Sequence, residues 1–590
     1  MITCGGVRKW FSLPERLVIF TFGLLFSKGM MIHVLANFMT FLTNTWNLKL
    51  KEAAAIVNFQ EGLRDMLQIH VALCIDAWLG YRRMLILSSV LYCAGLCLLS
   101  LSFSLLQTQE VHPMENVDYF KKLKHTPFWE GLALLIVGEA AQVIPLSSLS
   151  FDQTKFVKVR EHCELRGKIG RILSKVKIGG WRQLQRRFIR LLCTAVQMLG
   201  TITFVYGFIS FERGWQLYFA VSAGGIAVGL LWFLCGLPFY GLPRLQPNPL
   251  STMLRVLIAA VRKRHLIYRE NLYGLHRCDG DDQNQLLTDH LECLNNAAVK
   301  ESSADDNSIM EETRWKLCTV KEVEQTKLLL NIVPMSVTFI VYGMVKSLGN
   351  TFFIEQANSM RGGNGILIVV FQMIQGFSKS PIKRGYEVVF EKRIDRIKRG
   401  YSDAVKIGLG MLASIICCAV ATSVESKRLK ALPPSLEGLP NDPNAIAHIS
   451  ALWLVPQFLF LAAMEGLAGD GIQDFYGHYA PDSRRYGPVF TSLLTGLGAV
   501  LSVGFIAILD YYSKSRYNES WLGDSINQSR LDSIYHAYVI VALVNCFLYA
   551  YVAKQYSYDN ITGREEEEEE EIQFLEVKEE TAAGDEQNNQ

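Results

Sequence analysis

Twelve stretches of about 20 mostly apolar residues run through this chain of 590 residues, and they leave few folds open. They cover 17–43, 55–79, 84–106, 128–150, 187–209, 215–238, 327–348, 364–390, 402–423, 451–474, 488–509 and 534–553. A helix needs about 20 such residues to cross a hydrocarbon core about 30 Å thick. Backbone amides in lipid must be satisfied within the segment, so the spans are predicted to be helices rather than open strands. The expected fold is an all-α polytopic membrane protein with twelve transmembrane helices. Composition agrees, with 50% hydrophobic and 19% charged residues against about 25% charged in soluble domains. A net charge of +3 offers no field for nucleic acid. The 13 cysteines show no zinc spacing and read as small buried residues, so neither metal nor cofactor is expected. Arg8, Lys9 and Arg16 precede an apolar run too long for a signal peptide, which is expected to stay as the first span.

Loops after even-numbered spans carry 19 Lys and Arg in 64 residues, the opposite set 13 in 103. By the positive-inside rule the even loops and both termini are cytosolic. The triplets at Asn518 and Asn527 are candidate glycosylation sequons in the last outer loop. The chain divides into a cytosolic N-terminus (1–16), a six-helix half (17–242), a cytosolic linker (243–326), a second six-helix half (327–555) and an acidic disordered tail (556–590) with seven consecutive glutamates. Within the linker, 250–268 has helical apolar spacing suited to the membrane interface. The stretch 278–312 reads as disordered; its Asp279-Gly280-Asp281-Asp282 lacks the glycine and glutamate of a calcium loop. Two six-helix halves are the layout of the major facilitator superfamily.

Short motifs in fixed order sharpen that layout. They are Asp76-Ala77-Trp78-Leu79-Gly80, Phe151-Asp152-Gln153, Gly241-Leu242-Pro243 with Asn248-Pro249-Leu250, Trp315-Lys316-Leu317-Cys318-Thr319-Val320, Trp453 with Pro456-Gln457 and Glu465, and Ala480-Pro481-Asp482-Ser483. As a set they resemble the plant nitrate/peptide transporter family, a branch of the proton-coupled oligopeptide transporters. The resemblance implies symport of small anionic or zwitterionic solutes with protons, in the plasma membrane first and the vacuolar membrane second. Two departures put proton coupling in question. Where the family carries Glu-x-x-Glu-Arg in span one, this chain has Leu24, Ser27 and Lys28, and the family's span-four lysine falls at about Val143, before Pro145.

An ionisable side chain inside a span is costly and by default faces a cavity or a partner. Glu465 matches the family's span-ten glutamate; it either serves the site or forms a structural ion pair. Lys346 falls where relatives place a tyrosine or histidine near the substrate; it faces the cavity or snorkels outward. Glu61, Arg64 and Asp65 share one helical face, and Lys28 lies near their level if span two begins where expected. On that reading Lys28 pairs with Glu61 or Asp65; on the other, the trio sits in the headgroup zone. Asp76, Gly80 and Arg82 correspond to the superfamily's gating loop, although the arginine is shifted by one.

The expected protein is therefore a solute carrier whose cavity is lined by Lys28, Asn37, Lys346, Trp453 and Glu465, with Glu465, Glu61 and Asp65 as proton-coupling candidates. The other reading is a transporter-like sensor or scaffold without net flux. No nucleophile elbow, His-Glu-x-x-His or phosphate-binding glycine loop points to an enzyme.

Overall fold

A computed structural model describes residues 18–111, 117–151, 188–189, 191–203, 215–237, 249–264, 291–299, 317–391, 393–394, 401–433, 442–443, 445–479 and 486–555. The N-terminus (1–16), the tail (556–590), the calcium-loop comparison at 279–290 and the motif pieces at 152–153, 241–248, 315–316 and 480–483 lie outside the described residues.

Nine described helices are long and apolar enough to cross a membrane, and shorter apolar helices cover Val18–Ile32 and Leu191–Thr203. One of the nine, Leu50–Leu105, has 56 residues, about 84 Å if straight and more than twice the hydrocarbon thickness. It serves as spans two and three, with the break at a π-helical turn, Ile75–Leu79, closed by Gly80 at φ 66°. Only a residue without a Cβ enters that left-handed region freely, so the chain reverses there without a loop. Counted this way, the helices are consistent with twelve spans in a multi-pass integral membrane protein.

Spans two and eleven touch backbone to backbone where Gly62 meets Gly496. At one end of this seam Ala72 packs on Tyr486 and Val489, and the Tyr486 hydroxyl donates to Asp76. The opposite end is tied more heavily. Lys51 pairs with Asp510 at 2.6 Å and Lys49 with Asp524 at 3.0 Å. The Leu50 N–H donates to the Asp524 carbonyl at 3.0 Å. Thr43 donates to Glu355, and Asn358 to Thr40 at 2.8 Å. Beside these ties, strands β1 (Met360–Arg361) and β2 (Ala447–Ser450) pair in parallel.

Three expectations change. The described part of the linker helix, Pro249–Arg262, does not keep its apolar face for lipid. Val256, Ala259 and Ala260 pack on Leu294, Ala297, Cys318 and Val323, because the linker returns over the start of span seven, where Thr319 and Glu322 form a capping box. Burial there pushes the Cys318 thiol up to about 11. Second, Cys97 and Cys235 are exposed, unlike buried Cys193, Cys417 and Cys418, since the outer face of a membrane bundle is as apolar as its inside. Third, Asn527 is 1% exposed. Its amide donates to the carbonyls of Asp442, Pro443 and Ala445 and accepts from Arg428, so this sequon is structural, whereas Asn518 is exposed.

Candidate functional site

A cavity of about 390 Å³ lies between spans two, four, seven, eight, ten and eleven, with Val143 of span four in its wall, and its charged lining is Asp65, Lys346, Lys379, Lys383, Glu465 and Asp470. The local folding of span ten places the carboxylates. The helix Val455–Met464 opens into a π turn, Glu465–Gly469, and resumes at Asp470. Such a turn rotates the residues beyond it, and single π turns recur at functional sites. Gly466 lets span eight approach, since a Cβ there would fall 2.8 Å from the Lys379 carbonyl oxygen. Lys379 is thereby set on Glu465.

Glu465 is 9% exposed. Its Oε2 is held by the Lys379 ammonium and by Gln375 Nε2 at 3.0 Å, and its Oε1 lies 4.0 Å from Lys346 Nζ. One turn further along span eight, Lys383 pairs with Asp470 at 2.6 Å and reaches Glu387 at 3.7 Å. Lys406 on span nine is shared by Asp470 and Asp474, the latter at 2.8 Å. The result is a ladder of alternating charge running from the middle of the bundle toward the Asp474 end of span ten. Lys346 is the member least neutralised by a carboxylate.

Across the cavity, Arg64 binds Asp65 Oδ1 through Nε at 3.0 Å and Glu139 Oε1 through Nη1 at 3.1 Å. Gln68 donates to Asp65 at 3.0 Å, and Gln60 to Glu139 at 3.4 Å. Glu61 turns toward span seven and accepts from the Asn350 amide at 2.5 Å.

The structure thus brings Lys346, Glu465 and Asp65 to one cavity, with Glu61 beside it. Lys28 is elsewhere: it lines a separate space of about 40 Å³ with Glu139 and Tyr92. The expected Lys28 pairing with Glu61 or Asp65 is corrected accordingly, since Arg64 occupies Asp65 and Asn350 holds Glu61. Asn37 is buried at the break in span one between Phe22–Ala36 and Phe38–Thr40. It lines neither space. Trp453 is 48% exposed in the first turn of span ten, with the Lys427 ammonium 4.1 Å over its ring. It too lies away from the cavity. Asp76 meets Tyr486 at the span-two turn, Gly80 forms that turn, and Arg82 is half-buried in the first turn of span three.

Lys379, Lys383, Asp470 and Glu139 were not among the site expectations. Their signal was present, as lysines four residues apart in one span and a lone glutamate in another. A second cavity of about 400 Å³ at the heavily tied end is lined by Glu355, Asn358, Asn44, Asn47 and Asp524.

Comparison with known proteins places this architecture. The chain is 27% identical to Protein NRT1/PTR FAMILY 5.6 of Arabidopsis thaliana over 558 residues, 92% of each chain. It is 28% identical to Protein NRT1/PTR FAMILY 5.5 of the same plant over 536 residues, 88% of this chain and 93% of that one. In fold it is similar to the POT family transporter PepTSo, with TM-score 0.60 and 11% identity over 92% of this chain and 99% of that one. An auto-inhibited POT family peptide transporter gives 0.58 and 14% over 92% and 97%. The family model PTR2, described as the POT family, matches residues 184–522. That is more than half of the sequence, and the chain belongs to the POT family.

Proposed function

We propose that this protein carries a small anionic or zwitterionic solute across a membrane by alternating access, its halves (17–242 and 327–555) rocking about the Lys346–Glu465 cavity. The observation that carries the reading is the lysine-lined wall of that cavity. Lys346, Lys379 and Lys383 are half-buried in an apolar bundle where cations are costly, and the carboxylate beside Lys346, that of Glu465, stands 4.0 Å away. A negative group on the solute supplies the missing counter-charge, and Asp65 on the facing span can receive an ammonium. Both the nitrate/peptide relatives and the absence of enzyme motifs in the sequence support transport over catalysis.

The ties among Thr40, Thr43, Lys49, Lys51, Glu355, Asn358, Asp510 and Asp524 close one end. On the positive-inside reading that end is external, and this conformation faces the cytosol. Asp76, Gly80 and Arg82 then sit at the cytosolic gate. The plasma membrane ranks ahead of the vacuolar membrane.

The sensor or scaffold reading draws on one feature, the engagement of Glu465 by Lys379, which leaves no unoccupied carboxylate on that wall. Its signature is binding without flux. Purified full-length protein in proteoliposomes separates the two, with uptake of labelled nitrate, dipeptide and malate as readout. The transport reading expects uptake of at least one probe; saturable binding of a probe with no uptake would favour the sensor.

A further inference from the structure

Charge is divided unevenly across the cavity. On the N-terminal side Glu61, Asp65 and Glu139 stand against Lys28 and Arg64, three carboxylates to two cations. On the other side Lys346 and Lys379 share Glu465, two cations to one carboxylate, while Lys383 and Lys406 are matched by Asp470 and Asp474 further along the ladder. The excess on each side can be located. Arg64 is committed to both Asp65 and Glu139, and Lys28 stands beside Glu139. Glu61 is left with a neutral partner, the Asn350 amide. Asn350 lies one turn beyond Lys346 on span seven, and the charge of Lys346 acts on Glu61 together with those of Arg64, Asp65 and Glu139. Span eleven, packed on the same face of span two, presents Gly496 and Val500 at Gly62 and adds no charge there. The surplus carboxylate and the surplus cation therefore face each other across the seam between the halves.

We propose that Glu61 carries the coupled proton and that Lys346 ties it to the solute. An anion docked on Lys346 neutralises the cation that balances Glu61. A lone carboxylate in apolar surroundings is costly, so Glu61 takes a proton from a hydronium ion on the side to which the cavity is open. One O–H bond forms and the carboxylate becomes a carboxylic acid. When the anion leaves, that proton returns to water on the side of release, so anion and proton cross as a neutral pair. Glu465, clamped by Lys379, takes no part as proton carrier. The solute half of this proposal rests on the transport reading; the proton half does not.

Replacing Lys346 imitates the docked anion, which allows a test without any solute. Full-length protein reconstituted in lipid is compared by infrared spectroscopy at neutral pH, reading the carbonyl stretch of a protonated carboxylic acid. Lys346→Gln is expected to gain this band relative to wild type, and the double variant Lys346→Gln/Glu61→Gln to lose it. No band in Lys346→Gln, or a band that persists in the double variant, overturns the proposal. Should Lys346→Gln fail to fold, a hydrophobic carbodiimide is applied to the wild type with and without nitrate, and adducts are mapped by mass spectrometry. Nitrate is then expected to raise the Glu61 adduct severalfold; an adduct on Glu465 instead contradicts the assignment. If no probe is taken up while Lys346→Gln shows the Glu61 band, the transport reading fails and the Glu61–Lys346 linkage stands.

Discussion

The two walls of the cavity are built from different cations, and the difference separates their tasks. The N-terminal wall is organised by one guanidinium, Arg64, which bridges Asp65 and Glu139. A planar fork holds carboxylates in fixed directions and is not readily exchanged. The opposite wall is organised by lysines on flexible stems, with Lys383 and Lys406 both serving Asp470 and Lys346 at the edge of contact with Glu465. An ammonium on a four-carbon stem can leave one carboxylate for another or for a solute. The first wall keeps its shape and holds the surplus negative charge; the second trades partners and is where a solute can bind.

The sharpest way to break this contrast is Arg64→Ala. It leaves Asp65 without its cation and Glu139 with Lys28 alone, and removal of one partner from a buried pair costs about 3–5 kcal/mol. A large fall in thermal stability in detergent is expected, checked by fluorescence-detected size exclusion. No fall would mean that the two carboxylates do not depend on the fork. Gly466→Ala comes next. Its Cβ would meet the Lys379 carbonyl oxygen at 2.8 Å, and overpacking of this kind costs about 1–3 kcal/mol, with spans eight and ten forced apart and a cross-link between them slowed. Lys379→Gln should act on binding more than on folding. Lys346 then turns to Glu465, and anion affinity falls about tenfold, or about 1.4 kcal/mol, read by competition among nitrate, malate and dipeptide. Unchanged affinity would show that the wall does not trade partners. The smallest effect belongs to the tied end. Lys51→Ala removes a half-exposed partner of Asp510, which keeps Lys514 and Ser520. Such a pair is worth about 0.5–1 kcal/mol, so labelling of a cysteine placed at Asn350 by an impermeant reagent should rise only a few-fold.

The fold was legible because a bilayer imposes one length on every span, and apolar runs of that length stand out against any background. It was also clear from sequence that a charge within such a run needs company, which drew attention to Lys346, Glu465 and Asp65. The identity of the company was not legible. Span one breaks at Asn37, and counting residues along ideal helices set Lys28 against the wrong carboxylates; Trp453 was placed in the cavity by the motif it shares with Glu465, which says nothing of the 12 positions of helix between them. Lys379 and Lys383 looked like weaknesses in span eight, because their counter-charges, Glu465 and Asp470, lie far along the chain on span ten. The Asn527 sequon showed the same limit from the other side, since a three-residue pattern carries no information about the Arg428 side chain that buries it.

The most direct test of the account is uptake of a labelled panel (nitrate, dipeptides, amino acids, organic anions and hormone-like acids) into cells expressing wild type, Lys346→Gln or Glu465→Gln, with and without an inward proton gradient. An anionic or zwitterionic member is expected to accumulate faster with the gradient, and Lys346→Gln to abolish this uptake. Glu465→Gln is expected to retain the stimulation by protons while losing affinity. Uptake untouched by Lys346→Gln, or proton stimulation lost in Glu465→Gln alone, would contradict the account.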